Sequence, residues 1–90
     1  MARIKHGTLS AATPATVTLD ADYDQVEILN RDSALEIYYR VDGTTPTVAG
    51  DDCYPVLPGQ GLLVSVPTAG ATQVQLISSG TAKYSVTGVL

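Results

Sequence analysis

One cysteine and one histidine are the residues that could supply a nucleophile and its general base. They are Cys53 and His6, and each type occurs once. A thiol nucleophile also needs a third group to orient the imidazole and donors to hold an oxyanion. The sequence offers neither, and His6 lies in a segment that we interpret as an N-terminal arm. We therefore expect no catalytic residues and no enzymatic activity, with Cys53 filling a small apolar space at a strand edge.

Alternating aspartates at residues 20–24 resemble the opening of a calcium-binding loop. An EF-hand loop also requires glycine at its sixth position and glutamate at its twelfth. Gln25 and Arg31 occupy those positions, which excludes an EF-hand. A solvated acidic turn is the expected interpretation. An irregular cation site that adds Asp51 and Asp52 is the alternative.

The remaining candidate sites indicate binding rather than chemistry. Residues 59–61, Gly-Gln-Gly, lack the lysine and the following helix of a phosphate loop, so they predict a turn. One histidine and one cysteine are too few to hold zinc, and we expect neither a metal nor another cofactor. The five tyrosines could provide a surface for stacking sugars, with Tyr38 as the best candidate for an exposed ring because it alternates with Tyr39.

The length and charge of the chain narrow the possible functions. Ninety residues form one small domain without room for a deep active site. A net charge of −4, with no two basic residues adjacent, argues against a nucleic-acid partner. No segment approaches the ~20 apolar residues of a membrane span. The basic N-terminus is not followed by an apolar run, so no signal peptide is expected.

The charged residues are distributed unevenly along the chain. All nine acidic residues lie between Asp20 and Asp52, and Lys83 is the only charged residue after Asp52. Interface cores are depleted in charge, so one interpretation is that partner subunits cover much of the C-terminal half. The other is a Thr-, Ser- and Gln-rich surface that faces water without charge. The sequence leaves both open.

Apolar residues recur at every second position in short segments separated by turn signals such as Asp42-Gly43 and Ser78-Ser79-Gly80. This pattern predicts an all-β fold, an antiparallel β-sandwich of the immunoglobulin/fibronectin-like type with about seven strands. The predicted strands cover residues 15–19, 26–30, 35–41, 54–57, 62–66, 73–77 and 83–87.

The first residues do not follow this alternation. Residues 1–13 contain Gly7, Ala11 and Ala12, so we expect an extended N-terminal arm followed by a β-sandwich domain over residues 14–90. Such an arm could dock onto another chain, with residues 3–13 adding a strand to a neighbouring sheet edge.

Residues 36–47, Glu-Ile-Tyr-Tyr-Arg-Val-Asp-Gly-Thr-Thr-Pro-Thr, resemble the Tyr-Tyr-x-x-Asp-Gly-Ser/Thr-x-Pro-Thr hairpin of immunoglobulin/fibronectin-like accessory domains. With residues 26–32, 74–80 and 84–88, the wider run is similar to small all-β virion proteins of tailed phages that infect actinobacteria. The resemblance covers roughly residues 24–89. It implies a structural protein of a virus particle, with a capsid decoration protein as the first expectation. It assigns no functional residues to positions of this sequence.

We therefore expect a decoration protein that binds the outside of the major capsid shell and reinforces it. The expected partners are the major capsid protein and other copies of this chain, with a trimer as one arrangement. The protein would be made in the host cytoplasm and located in the virion. The residues expected to contact partners are those of the arm and the large apolar residues that alternation turns outward: Arg3, Ile4, Lys5, His6, Leu9, Leu63 and Ile77.

Two alternatives stay open beside this prediction. The first is a carbohydrate-binding or adhesion module on a phage fibre or capsid surface, which would use Tyr38, Tyr54 or Tyr84 together with Asp51 and Asp52. The second is a structural component of the tail tube or tail tip, which would assemble into rings without a shell.

Overall fold

The computed structural model describes residues 4–50, 53–66 and 72–89, and within them the chain forms eight β-strands and no helix. The predicted all-β antiparallel sandwich is confirmed, with one strand more than expected. In chain order the strands are β1 (Ile4–Thr8), β2 (Ala15–Thr18), β3 (Gln25–Asn30), β4 (Ile37–Arg40), β5 (Tyr54–Val56), β6 (Gly61–Ser65), β7 (Gln73–Ser78) and β8 (Lys83–Val89).

The strands form two four-stranded sheets. Sheet 1 has the order β1-β8-β3-β6 and sheet 2 the order β2-β7-β4-β5. The chain thus behaves as one long hairpin, in which β1 pairs with β8, β2 with β7, β3 with β6 and β4 with β5, rolled into two layers. Eight strands connected in this way form a jelly roll.

This strand order differs from the expected immunoglobulin/fibronectin-like arrangement, in which seven strands divide into sheets of four and three. Only β4 and β5 are consecutive strands within one sheet here. Alternation along a strand reports which side chains point inward, but it carries no information on which strand is the neighbour. The sandwich was therefore predictable and its connectivity was not.

The prediction of an N-terminal arm is corrected by the structure. Residues 4–8 form β1, which pairs along its whole length with β8. Leu9 is only 1% exposed and belongs to the core. The Leu9 and Ala12 N–H groups donate to the carbonyls of Ala82 and Ser78. Strand addition does occur, but to the sheet of the same chain, so the boundary expected between residues 13 and 14 does not divide the fold.

The core lies between the sheets and collects the inward residues of both. The alternation that predicted the strands also places these residues correctly, because inward positions on paired strands face the opposite sheet. The largest fully buried apolar side chains are Leu9, Val26, Ile28, Ile37, Val56, Val74, Leu76 and Val86.

Two central strands account for part of the low charge of the C-terminal half. β7 lies between β2 and β4, and β8 lies between β1 and β3. Five of the six residues of β7 are buried, including Gln75 and Ile77, which point away from the core. The prediction that Ile77 is exposed is wrong, because flanking side chains of sheet 2 cover the centre of its outer face.

A buried asparagine ties the two sheets together at the end of β3. Asn30 Nδ2 donates to the carbonyl of Leu35 at 2.7 Å and to that of Val56 in β5 at 2.9 Å. Its Oδ1 accepts from the Asp32 N–H at 2.9 Å. Asn30 is fully buried, so these three bonds fix the turn after β3 against the opposite sheet.

Candidate functional site

We call the outer surface of sheet 1 the sheet-1 face. Among the apolar strand residues whose side chains alternation turns away from the core, the most exposed lie on this face. One row of paired residues crosses all four strands in the order Ile4, Thr87, Glu27 and Leu63. Paired residues on neighbouring strands point to the same side of a sheet. With strands ~4.8 Å apart, the two ends of the row are roughly 14 Å apart.

Both ends of that row are apolar and open to solvent. Ile4 is 45% exposed and Leu63 is 58% exposed. The half-buried Leu29 and Val89 lie in the adjacent rows of the same face. Among the described acidic residues, Glu27 alone lies on a strand, while the others occupy loops. The exposed Lys83 of β8 points to the same side as Thr87, so Glu27 and Lys83 are the charged strand residues of the sheet-1 face, and apolar side chains lie at its two edges.

The predicted contact residues fall into four groups. Ile4, His6 and Leu63 share the sheet-1 face. Lys5 is exposed but lies on the opposite side of β1, because it pairs with the inward Val86.

Arg3 lies outside the described residues, and the two remaining candidates are corrected. Leu9 is part of the core, and Ile77 is 4% exposed on the outer surface of sheet 2. Neither is available to a partner. Half-buried Leu29, which alternation assigned to the outward side of β3, was not among the predicted contact residues.

His6 takes part in a contact that the sequence did not predict. Its Nδ1 shares a hydrogen bond of 2.6 Å with Ser85 Oγ on β8. These are the residue types of a hydrolytic pair, but Ser85 is buried in the middle of a strand that is paired on both sides. A substrate carbonyl could not approach its hydroxyl there. The bond instead fixes β1 to β8. Cys53 lies beside β5 in the other sheet, so the structure does not pair it with His6.

A cleft of about 250 Å³ opens where the two sheets meet beside the edge strands β5 and β6. Its aromatic side is formed by Tyr39 and Tyr54, which are paired across β4 and β5. Their rings stack with centroids 5.8 Å apart and planes inclined by 30°. Tyr39 is buried, whereas Tyr54 is 67% exposed. The opposite side is formed by Val64 and Ser65 at the end of β6.

Charged groups line the same cleft beyond the end of β4. The Arg40 guanidinium donates to both carboxylate oxygens of Asp42. Those bonds, with the N–H of Thr44 also donating, hold the pKa of Asp42 far below its usual range. Burial raises the pKa of Tyr39, and the neighbouring Tyr54 adds to that effect. The cleft therefore presents an ion pair beside the neutral phenol of Tyr39 near pH 7.

The tyrosines proposed for sugar binding are dispersed. Tyr54 lines the cleft. Tyr38 points to the outer surface of sheet 2, where it pairs with Ile77. Tyr84 is half-buried against Gly7, where a Cβ would come within 2.5 Å of its hydroxyl. The sequence indicates one part of the cleft, because Arg40 and Asp42 closely follow Tyr39. It does not indicate that β6 forms the opposite side.

The acidic turn has a structural contact of its own. The Tyr23 hydroxyl donates to Asp20 Oδ1 at 2.6 Å. Within the described part of the chain, no group of three or more metal-binding side chains comes together. Asp51 and Asp52, which the alternative cation site and the glycan site would use, lie outside that part. No described helix is long and apolar enough to cross a membrane.

Comparison with known proteins supports the fold. No family model matches the chain, and neither does any curated protein. Among solved structures, the chain is similar to a de novo designed double-stranded β-helix determined by solution NMR. The TM-score is 0.64 at 13% sequence identity, and the match covers 98% of this chain and 100% of the designed one. The similarity shows the two-sheet β architecture and nothing of function.

Proposed function

We propose that this chain is a structural virion protein that decorates the outside of a phage capsid and binds the shell through the sheet-1 face. The observation that carries the proposal is the row ending in Ile4 and Leu63, two exposed apolar side chains at opposite edges of one largely uncharged sheet. Scattered single apolar residues are ordinary on protein surfaces. Two that lie in one row, with Thr87 and the single carboxylate of Glu27 between them, suit a surface that docks.

The arrangement of the charged loops favours the same face. Six of the seven described acidic residues lie between strands, so they surround the sandwich at its ends and leave sheet 1 nearly free of them. Charge is depleted at the centre of interfaces because its desolvation is costly. Glu27, the one exception, would need a hydrogen-bonding or basic partner on the shell.

The resemblance of residues 24–89 to small all-β virion proteins supplies the class of partner, the major capsid protein. Binding of this kind removes apolar surface from water only in the assembled shell. It therefore stabilises the assembled state relative to the ruptured one, by mass action, without chemistry. Copies of the chain at neighbouring positions would each add such a contact.

The test is co-sedimentation of the purified chain with capsids that lack it. Leu63→Asp and Ile4→Asp place a charge on the docking surface, and both should reduce capsid occupancy by tenfold or more. Thr16→Asp is the matched control, because Thr16 is exposed on the outer surface of sheet 2. It should bind like the unmodified protein.

Three outcomes would overturn the proposal. The first is equal binding by all three variants, which would remove the sheet-1 face from the interface. The second is the absence of any binding to capsids. The third is the formation of rings by the isolated chain, as expected of a tail component. Circular dichroism of each variant verifies that the loss of binding is not a loss of folding.

A further inference from the structure

We infer that the cleft between β4, β5 and β6 binds a single neutral saccharide ring. Neither Ile4 nor Leu63 lines this site, and the inference does not rest on capsid attachment. It uses the stacked pair Tyr39 and Tyr54, the ion pair Arg40 and Asp42, and the β6 residues Val64 and Ser65.

The exposed tyrosine ring provides an apolar plane that is already held in position. Tyr54 is 67% exposed, yet its ring stacks on the buried ring of Tyr39. A ring supported from behind loses little conformational freedom when a ligand covers it, which favours binding. The C–H faces of a pyranose are flat and apolar, and such faces pack on aromatic rings for the same reason that other apolar surfaces do.

The polar rim fits a ligand with hydroxyl groups and no net charge. Arg40 and Asp42 neutralise each other, and both carboxylate oxygens already accept hydrogen bonds. The pair therefore has little excess field to attract an ion. Carboxylate oxygens can accept additional hydrogen bonds. Hydroxyl groups both donate and accept, so they can donate to the Asp42 carboxylate at the rim.

The size of the cleft limits the ligand. Its volume of about 250 Å³ lies below the ~300–1,000 Å³ of pockets that enclose drug-sized molecules. The apolar side chain of Val64 closes one side, while the Tyr54 side remains open. One ring of a longer glycan would enter, and the rest of the chain would extend into solvent. Single-ring contact of this kind predicts a dissociation constant in the millimolar range.

The experiment is a titration of the ¹⁵N-labelled full chain followed by NMR. The probes are the methyl glycosides of glucose, galactose, mannose and N-acetylglucosamine, with glycerol and a proline-rich peptide as comparison ligands. At least one glycoside should shift the amide signals of residues 39–42, 54 and 64–65 in a saturable way. Glycerol at equal concentration should not.

Matched variants assign the binding to the cleft. Tyr54→Ala should weaken the binding about fivefold or more, the range expected when an aromatic stacking platform is removed. Tyr54→Phe keeps the ring and should bind as the unmodified chain does. Tyr38→Ala, on the outer surface of sheet 2, should also leave the affinity unchanged.

Several results would overturn the inference. They are the absence of saturable shifts with every glycoside, equal shifts with glycerol, and saturable binding of the peptide alone. Unchanged glycoside affinity in a folded Tyr54→Ala variant would also overturn it. None of these results tests capsid binding, because neither Ile4 nor Leu63, the residues that carry that proposal, lines the cleft.

Discussion

Strands β6 and β7 carry no charged residue, yet the structure places them in opposite environments. β7 lies in the middle of sheet 2, and only its first residue, Gln73, is exposed. β6 lies at the edge of sheet 1, where Gly61, Leu63 and Ser65 are exposed. Ile77 and Leu63 both point outward on their strands, but the first is 4% and the second 58% exposed.

The difference shows that a low charge density has two causes in this chain. For β7 and β8, burial by neighbouring strands explains it, and no partner is needed. For β6, the fold itself offers no such explanation. The low charge of the C-terminal half therefore supports an interface only where its residues are exposed. This restricts the proposed contact to the sheet-1 face.

The largest expected effect is on the free energy of unfolding, when a carboxylate is placed at the outward position of β7 (Ile77) and of β6 (Leu63). Ile77→Asp should lower the free energy of unfolding by about 4 kcal/mol or prevent folding, because it buries an unpaired carboxylate. Leu63→Asp should change it by less than about 0.5 kcal/mol, since that side chain already faces water. Urea unfolding followed by circular dichroism measures both. Similar costs for the two substitutions would erase the contrast between the strands.

A second contrast concerns buried and exposed hydrogen bonds beside β6. Asn30→Ala leaves two carbonyls and the Asp32 N–H without their partner, so it should cost about 2–4 kcal/mol. Gln60→Ala removes one bond, from the Leu57 N–H to its side chain in an exposed turn, and should cost about 0.5–1 kcal/mol. Thermal unfolding compares them. A smaller loss for Asn30→Ala than for Gln60→Ala would contradict the role of Asn30 in joining the sheets.

Glycines on a central and an edge strand provide a third contrast. At Gly88 in β8, a Cβ would lie about 2.5 Å from the Tyr23 ring, so Gly88→Ala should cost about 1–3 kcal/mol by overpacking. At Gly61 in β6, the nearest atom is 3.7 Å away. Gly61→Ala should be neutral or stabilise by up to about 1 kcal/mol. If denaturant midpoints show Gly88→Ala to be neutral, the tight packing of β8 is not as described.

The smallest expected effect is a dependence of stability on acid pH. Asp32 accepts hydrogen bonds from the Ala34 and Leu35 N–H groups. These bonds, with Lys83 nearby, lower the pKa of Asp32 below 3.8. A carboxyl whose pKa is lower in the folded state contributes stability above its unfolded pKa, and this contribution disappears as pH falls through the folded pKa. Stability should therefore fall below about pH 4.

Asp32→Asn tests the assignment of that effect. The variant should show a weaker decline of the melting temperature between pH 5 and pH 2 than the unmodified chain. An identical pH profile for the two proteins would show that other carboxyl groups cause the decline.

The sequence predicted the inward side of the strands well and their partners poorly. Alternation placed Val26, Ile28, Val74 and Leu76 correctly, because burial on one face is a local property of a strand. It missed β1, whose residues Ile-Lys-His-Gly-Thr lack an apolar stripe, since an edge strand can be held by backbone pairing.

The connectivity and the candidate sites depend on long-range pairing, which one sequence does not reveal. Ile4 and Leu63 share a face only because β8 and β3 lie between their strands. The cleft likewise joins Tyr39 of sheet 2 to Val64 of sheet 1. The prediction of Ile77 at a surface failed because alternation cannot distinguish an outward residue that faces water from one that its neighbours cover.

Electron cryomicroscopy of a phage particle assembled with this chain, the location that we propose for it, tests the central claim most directly. The account predicts density for the sandwich on the outer capsid surface, with β1 and β6 edges and the side chains of Ile4 and Leu63 against the shell and the outer surface of sheet 2 toward solvent. Density with sheet 2 against the shell, or located only in the tail, would contradict it.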